Sequence, residues 1–294
     1  MSKPYFSIVV PTYNRAELIG KTIDSVLRQK FVDFEVIVVD DGSTDDTASV
    51  VASVSDPRVR YYRKENEERA AARNAGTGLA LGRYVTFLDS DDLLYANHLD
   101  NAFQMAAAHG TPEWFHLGYE FLAQDGASMS SASNAQGIAN DNLIDGNFLS
   151  CRGVFLRADV AGENPFNSDR ALSGTEDYEL WLRLASKFPL HCDERISSAI
   201  VQHDLRSVVN TDRAKLKKRI ELLEKYLAED TDFSLRFGPK WPVFRANNRV
   251  YIALHLALGK DRSGAVEYLL RALRQSPAAL GNRAFYGTLK RLFV

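Results

Sequence analysis

The chain is poor in cysteine: Cys151 and Cys192 are the only two in 294 residues, and no metal-type spacing joins them. That excludes a disulfide framework and suits a reducing compartment. No apolar run reaches membrane-spanning length, the opening Met1-Ser-Lys-Pro-Tyr-Phe6 is no secretory signal, and no Asn-x-Ser/Thr sequon occurs. The expectation is a cytoplasmic protein. Excess charge is missing too. Lys plus Arg number 36 against 38 acids, a net charge of -2, which gives no support to bulk nucleic-acid binding. There is no Gly-x-x-x-x-Gly-Lys-Ser/Thr and hence no P-loop. The glycines of Gly76-Thr-Gly-Leu-Ala-Leu-Gly82 precede an apolar run instead of following one. They lack the strand–turn–helix context of a dinucleotide fingerprint and are expected to end a helix, which disfavours nicotinamide and flavin chemistry.

What is present is an ordinary globular composition, 45% hydrophobic and 25% charged, with length enough for a sizeable core. Its most telling stretch is Leu88-Asp-Ser-Asp-Asp92, which ends the apolar run Tyr84–Leu88. A β-branched and aromatic run reads as a buried strand, and carboxylates at its end project into the crevice where open α/β sheets bind ligands. Three acids this close repel one another unless a cation joins them, and a hard divalent ion serves when the other ligand is a phosphate or diphosphate. The alternative is a helix N-cap with acids at the positive end of the dipole.

Strand and helix patterns alternate through the first hundred residues. Phe6–Val10 is an apolar run ending at Pro11, and Phe34–Val39 is closed by Asp40-Asp41-Gly42-Ser43. Ser43 with Asp46 fits a capping box opening a helix near 45–54. A strand over Arg58–Arg63, an Ala-rich helix over Glu68–Leu81 and the strand Tyr84–Leu88 follow. Repeated βα units of this kind imply a parallel sheet flanked by helices. Beyond a helix near Asn97–His109 and a strand over Trp114–Leu122, the polar stretch Gln124–Gly146 reads as a long mobile loop under which an acceptor would enter. A strand over Ser150–Arg157, a helix over Thr175–Lys187 and one or two strands in Pro189–Val201 complete a domain over 1–209.

Residues 210–294 form a C-terminal helical extension. Leu216, Ile220, Leu223 and Leu227 mark one apolar stripe and Val266, Leu269, Leu270 and Leu273 another. Arg245–Ser276 has the look of a single tetratricopeptide-like pair, read as one αα-hairpin because a solenoid needs several repeats. The last residues mix basic and aromatic side chains, a composition suited to resting on a membrane surface or to docking against the domain, with docking the expectation.

Three strand ends share one sheet edge: Pro11-Thr12-Tyr13-Asn14, Asp40-Asp41 and Asp89–Asp92. Tyr13 can cover a nucleobase, Asp41 can accept from a pyrimidine N–H, Asp89 can hold ribose hydroxyls, and Asp91 is left for a metal. Singly, each has a turn or capping alternative.

In combination and in order, Phe6–Arg15, Val38–Thr47, Ala71-Ala-Arg-Asn-Ala-Gly76, Phe87–Asp92 and Gly174-Thr-Glu-Asp-Tyr-Glu-Leu-Trp-Leu-Arg183 resemble family 2 glycosyltransferases of the GT-A type over about residues 5–205. The resemblance implies an α/β fold with a mostly parallel sheet flanked by helices, and places Pro11, Thr12, Tyr13, Asp41 and Arg73 in the nucleotide pocket. It makes Asp89-Ser90-Asp91 the Asp-x-Asp motif, with Asp89 on the nucleotide side and Asp91 the ligand of a divalent metal, Mn2+ or Mg2+. It makes Asp177 the general base of an inverting transfer, and offers His203 as a further metal or diphosphate contact. Glu67-Glu68-Arg69 departs from the Gly-rich lead-in of many members, and the Gln-x-x-Arg-Trp motif of processive synthases is absent. The implied reaction moves one sugar from a UDP- or dTDP-linked donor to an acceptor hydroxyl of a surface polysaccharide or lipid-linked oligosaccharide. The rival readings are a sugar nucleotidyltransferase, which would want a Gly-rich basic loop after the first strand, and a non-catalytic sugar-nucleotide-binding scaffold.

Overall fold

The structure, a computed structural model, describes residues 3–131, 135–202 and 213–293, so His203 lies outside the described residues. The chain opens with β1 (Phe6–Thr12), α1 (Ala16–Leu27), β2 (Phe34–Asp40), α2 (Thr47–Ala52), β3 (Val59–Arg63), α3 (Glu68–Leu79) and β4 (Tyr84–Phe87). Then come β5 (Leu93–Leu94), α4 (His98–Ala108), β6 (Trp114–Leu122), β7 (Ser128–Ser131), β8 (Gly137–Ile138), β9 (Val154–Arg157), α5 (Ala158–Glu163), α6 (Glu176–Lys187) and β10 (His191–Val201). Five helices end the described chain: α7 (Arg213–Glu229), α8 (Thr231–Phe237), α9 (Trp241–Leu258), α10 (Arg262–Gln275) and α11 (Arg283–Phe293).

The strands form one sheet in the order β3-β2-β1-β4-β9-β6-β10-β5, with β7 on β6 and β8 on β10. β3, β2, β1 and β4 run parallel. Every residue of β1, β2 and β4 is buried, as befits strands covered by helices on both faces. The sheet is nonetheless mixed, because β9 inserts antiparallel between β4 and β6, and β5 runs antiparallel to β10. The register of β1 aligns Thr12 with Asp40, and that of β4 aligns Phe87 with Val9. The polar residues that follow these strands therefore leave the same edge.

Several local expectations are corrected. Gly76 and Gly78 lie inside α3 instead of ending it. A Cβ on Gly76 would stand 2.3 Å from a Val9 methyl, so the missing side chain is what lets α3 lie against β1. Ser43 does not cap α2. Its Oγ accepts from Asn14 N–H at 2.9 Å, while Asp45 takes the Thr47 N–H at 3.1 Å. The segment after Asp92 is the short strand β5, and the helix starts only at His98. Gln124–Gly146 is not one long loop, since β7 and β8 pair with the sheet and 140–144 forms a 3-10 turn. Of Ser150–Arg157, only Val154–Arg157 is strand, preceded by a 3-10 turn at Cys151–Gly153.

The chain divides into two compact units. The first holds the sheet, comprising the described residues to Ala139, then Phe148–Leu180 and 188–202; the second holds Asn140–Asn147, Trp181–Lys187 and the helices from α7 onward. Within the second unit, α7 buries Leu216, Ile220, Leu223 and Leu227 as its spacing predicts. In α10 the buried face is Ala265, Tyr268, Leu269 and Ala272, whereas Val266 and Leu270 are exposed. The expected stripe there is off by one residue, because small Ala265 and Ala272 take buried positions on a helix that packs against α9.

Candidate active site

The edge of the first unit is built from three strand ends tied to one another. Asp41 N–H donates to the Thr12 carbonyl at 2.9 Å. Asn14 takes a left-handed φ of 51°, and its side-chain oxygen accepts from Thr44 N–H at 2.8 Å. Asp40 is buried and accepts from Ser43 N–H at 2.7 Å and from the Tyr61 hydroxyl. Asp41 is buried as well: one carboxylate oxygen takes Lys64 Nζ and the Glu67 N–H, both at 3.0 Å. Tyr13 is 47% exposed, leaving its ring face open. Pro11 and Thr12 are buried at the end of β1, and the Thr12 hydroxyl has no hydrogen-bond partner among the described residues.

The acidic turn after β4 separates its members. Asp92 N–H closes the turn on the Asp89 carbonyl at 3.0 Å. Asp92 caps no helix: it is fully buried and ion-paired to Arg152 at 2.6 Å. It also accepts from Val201 N–H at 3.2 Å, so it anchors the turn from beneath. Asp89 and Asp91 remain part-exposed at the edge, with Arg15 Nε 4.0 Å from Asp91.

Arg73 lies on α3. It is buried, with Nη2 donating to Asp89 at 2.8 Å and Nη1 donating to Glu176 at 2.9 Å. Burial penalises the Asp89 charge, but Arg73, Arg69 and Arg152 outweigh that and hold its carboxyl well below the usual range. Glu176 opens α6 and is buried. Its second oxygen accepts from the Gly174 and Thr175 N–H groups, while Arg69 stands 3.9 Å from the first. Its pKa is lowered for the same reason, burial being outweighed by Arg73 and Arg69.

Asp177 follows directly and behaves in the opposite way. One oxygen accepts from the Tyr178 N–H at 2.7 Å, and the other lies 3.8 Å from the Cys151 thiol sulfur. Desolvation, and then the neighbouring Glu176 charge, push its pKa up to about 6. Two adjacent carboxylates are thus driven apart in acidity, one locked as an anion by two arginines and the other poised to exchange a proton near neutrality.

Among the described residues no three His, Cys, Asp or Glu side chains converge on a metal position. Asp89 and Asp91 supply hard carboxylate oxygens two residues apart in one turn. That donor set suits Mg2+ or Mn2+ when phosphate oxygens complete the shell.

Sequence reasoning missed Cys151 and Arg152, which touch Asp177 and Asp92 from a single 3-10 turn. It also missed Asn74, whose side chain accepts from Phe166 N–H and donates to the Phe166 carbonyl, both at 2.9 Å. These are long-range pairings with no local signal. The Gly-rich lead-in absent from 67–69 left one mark: Glu68 carries a positive φ of 75° that glycine adopts without strain.

The profile described as Glycosyl transferase family 2 matches residues 7–132. The chain is 32% identical over 179 residues to WfgD of Escherichia coli, a UDP-Glc:alpha-D-GlcNAc-diphosphoundecaprenol beta-1,3-glucosyltransferase, covering 60% of this chain and 68% of that protein. The chain belongs to glycosyl transferase family 2. Some relatives are much longer: an uncharacterized glycosyltransferase of Rickettsia felis is 33% identical over 186 residues, 62% of this chain but only 30% of that protein. Among solved structures, S. aureus TarS 1-349 in complex with UDP-GlcNAc aligns with a TM-score of 0.61 at 18% identity, over 91% of this chain and 90% of that one. Mannosyltransferase PcManGT from Pyrobaculum calidifontis, in complex with GDP-Man and Mn2+, aligns with a TM-score of 0.60 at 20% identity, over 95% and 76%. These likenesses carry the fold, which for this family 2 member is the GT-A type, a mixed sheet flanked by helices.

Proposed function

We propose that this family 2 member is an inverting, metal-dependent glycosyltransferase that moves one sugar from a UDP- or dTDP-linked donor to a hydroxyl of a lipid-linked oligosaccharide or surface polysaccharide. The observation that carries the reading is the Asp89–Arg73–Glu176 bridge, which ties the donor-side turn to the helix start bearing Asp177. Tyr13 covers the base, Asp41 reads its N–H edge, and Asp89 holds ribose hydroxyls beside Pro11 and Thr12. Asp91 would hold a divalent ion, with His203 as a further ligand. When bound, that ion neutralises charge developing on the leaving diphosphate. WfgD acts by name on a diphosphoundecaprenol acceptor, which favours a lipid-linked acceptor here.

Asp177 supplies the base. With a pKa near 6 it is mostly ionised at neutral pH, yet basic enough to take the acceptor hydroxyl proton as that oxygen attacks the anomeric carbon. Glu176 cannot share the role, because two arginines and two backbone N–H groups hold it as an anion. Arg73 acts as a strut between the acids instead of a direct nucleotide contact.

Calorimetry of UDP binding with and without Mn2+ tests the donor half of this reading. Asp91→Ala is expected to lower the Mn2+-dependent affinity by about tenfold or more, the scale of a lost charged contact. UDP binding equally tight without metal in the parent protein would defeat the metal assignment.

A further inference from the structure

The last helix presents a face that the transferase reading leaves unused. α11 is docked through Phe285 and Thr288, which are buried. Residues 283, 286, 290 and 293 recur at i, i+3, i+7 and i+10, a spacing that lines one side of an α-helix. All four are exposed, Tyr286 at 57% and Phe293 at 87%, with Arg283 and Lys290 alternating between them. Leu280, just before the helix, is exposed too. From Arg271 to Phe293 the chain carries Arg271, Arg274, Arg283, Lys290 and Arg291 and not one acid, in a protein whose net charge is -2. Arg271 is paired with Glu267; the other four have no carboxylate partner among the described residues.

We propose that this face of α11 docks on an anionic lipid bilayer, with Tyr286 and Phe293 entering the headgroup boundary and Arg283, Lys290 and Arg291 meeting lipid phosphates. Amphipathic side chains with one apolar and one polar end settle at that boundary, and cations beside them are drawn by the negative surface potential. A second copy of the chain is disfavoured as the occupant, because a two-fold contact would set this cationic face against itself. Nucleic acid is disfavoured because the aliphatic Leu280 adds neither a stacking face nor a hydrogen bond. The inference rests on this face alone and is independent of the donor and base assignments.

Flotation of the full chain with phosphatidylcholine vesicles, with and without phosphatidylglycerol, tests it. The parent should float with the anionic vesicles at low salt and stay behind with the neutral ones. R283E/K290E should weaken partition by about tenfold or more. Y286S/F293S should remove the fraction that survives raised salt, while R28E, reversing an exposed cation just after α1, should change nothing. Equal partition to neutral vesicles, parent-like binding by R283E/K290E, or binding to duplex DNA without binding to vesicles would overturn the proposal. So would a parent dimer that Y286S/F293S dissolves. Circular dichroism of each variant establishes that a lost interaction is not lost folding.

Discussion

Asp89 and Glu176 are joined through one guanidinium. Arg73 donates to the first at 2.8 Å and to the second at 2.9 Å, so a residue of the acidic turn and a residue opening α6 are held by a single buried cation. Removing that cation strands a buried carboxylate. Arg73→Ala is expected to destabilise the protein by about 3–5 kcal/mol, the scale of breaking a buried pair from one side. Arg73→Lys should fall between, since an ammonium lacks the fork that spans both acids. Urea denaturation measures both. Parent-like midpoints would show that the bridge does not hold the two elements.

The acidity of Asp177 has consequences of opposite sign for activity and stability. As pH falls through about 6 its carboxylate takes a proton and the base is lost, so transfer should decline on the acid side with a midpoint near 6. Its folded pKa is above the ordinary 3.8, so the folded state holds the proton more tightly than the unfolded chain. Stability from this group is therefore present below about pH 4 and lost as pH rises through 6. Asp177→Asn should then be inactive but more stable at pH 8, by about 1–3 kcal/mol, and no more stable at pH 4. Thermal melts at the two pH values decide this.

Beneath the acidic turn, Asp92 and Arg152 form a buried pair at 2.6 Å. Arg152→Met alone should cost about 3–5 kcal/mol, whereas Arg152→Met with Asp92→Leu should recover much of it, because no buried charge is left alone. A double-mutant cycle that proves additive would mean the two side chains are not coupled.

Two glycines of α3 make a paired test of packing. Gly76→Ala would place a methyl 2.3 Å from Val9 and should cost about 1–3 kcal/mol. Gly78→Ala meets no atom within 4 Å and should be neutral or stabilising by up to about 1 kcal/mol. Equal effects at the two positions would contradict the close approach of α3 to β1.

The contrast between those glycines also shows what was legible beforehand. Strands β1, β2 and β4 read clearly because buried parallel strands are continuous apolar runs, and their polar ends therefore read as one edge. The acids of Asp89–Asp92 were visible as a cluster, but the buried pairing of Asp92 was not. Only the fold brings Arg152 under Asp92 and Arg73 between Asp89 and Glu176, and pairings across such sequence separations leave no local pattern. The helix-end reading of Gly76 failed because glycine marks both a helix end and a close approach, and periodicity cannot tell them apart. In α10, Val266 and Leu270 fit a core stripe by hydrophobicity alone, whereas the smaller Ala265 and Ala272 are the residues that are buried. The antiparallel insertion of β9 was invisible for the same reason as the ion pairs: strand order is a property of the whole sheet.

The central claim, that this chain cleaves a nucleotide sugar with Asp177 as base, is tested most directly by nucleoside diphosphate release. A panel of UDP-, dTDP- and GDP-linked sugars would be incubated with Mn2+ and either the parent or Asp177→Asn. A UDP- or dTDP-linked donor should yield free diphosphate with the parent, and the variant should be slower by about a hundredfold or more while still binding UDP. No release from any donor, or equal release by the variant, would contradict the account.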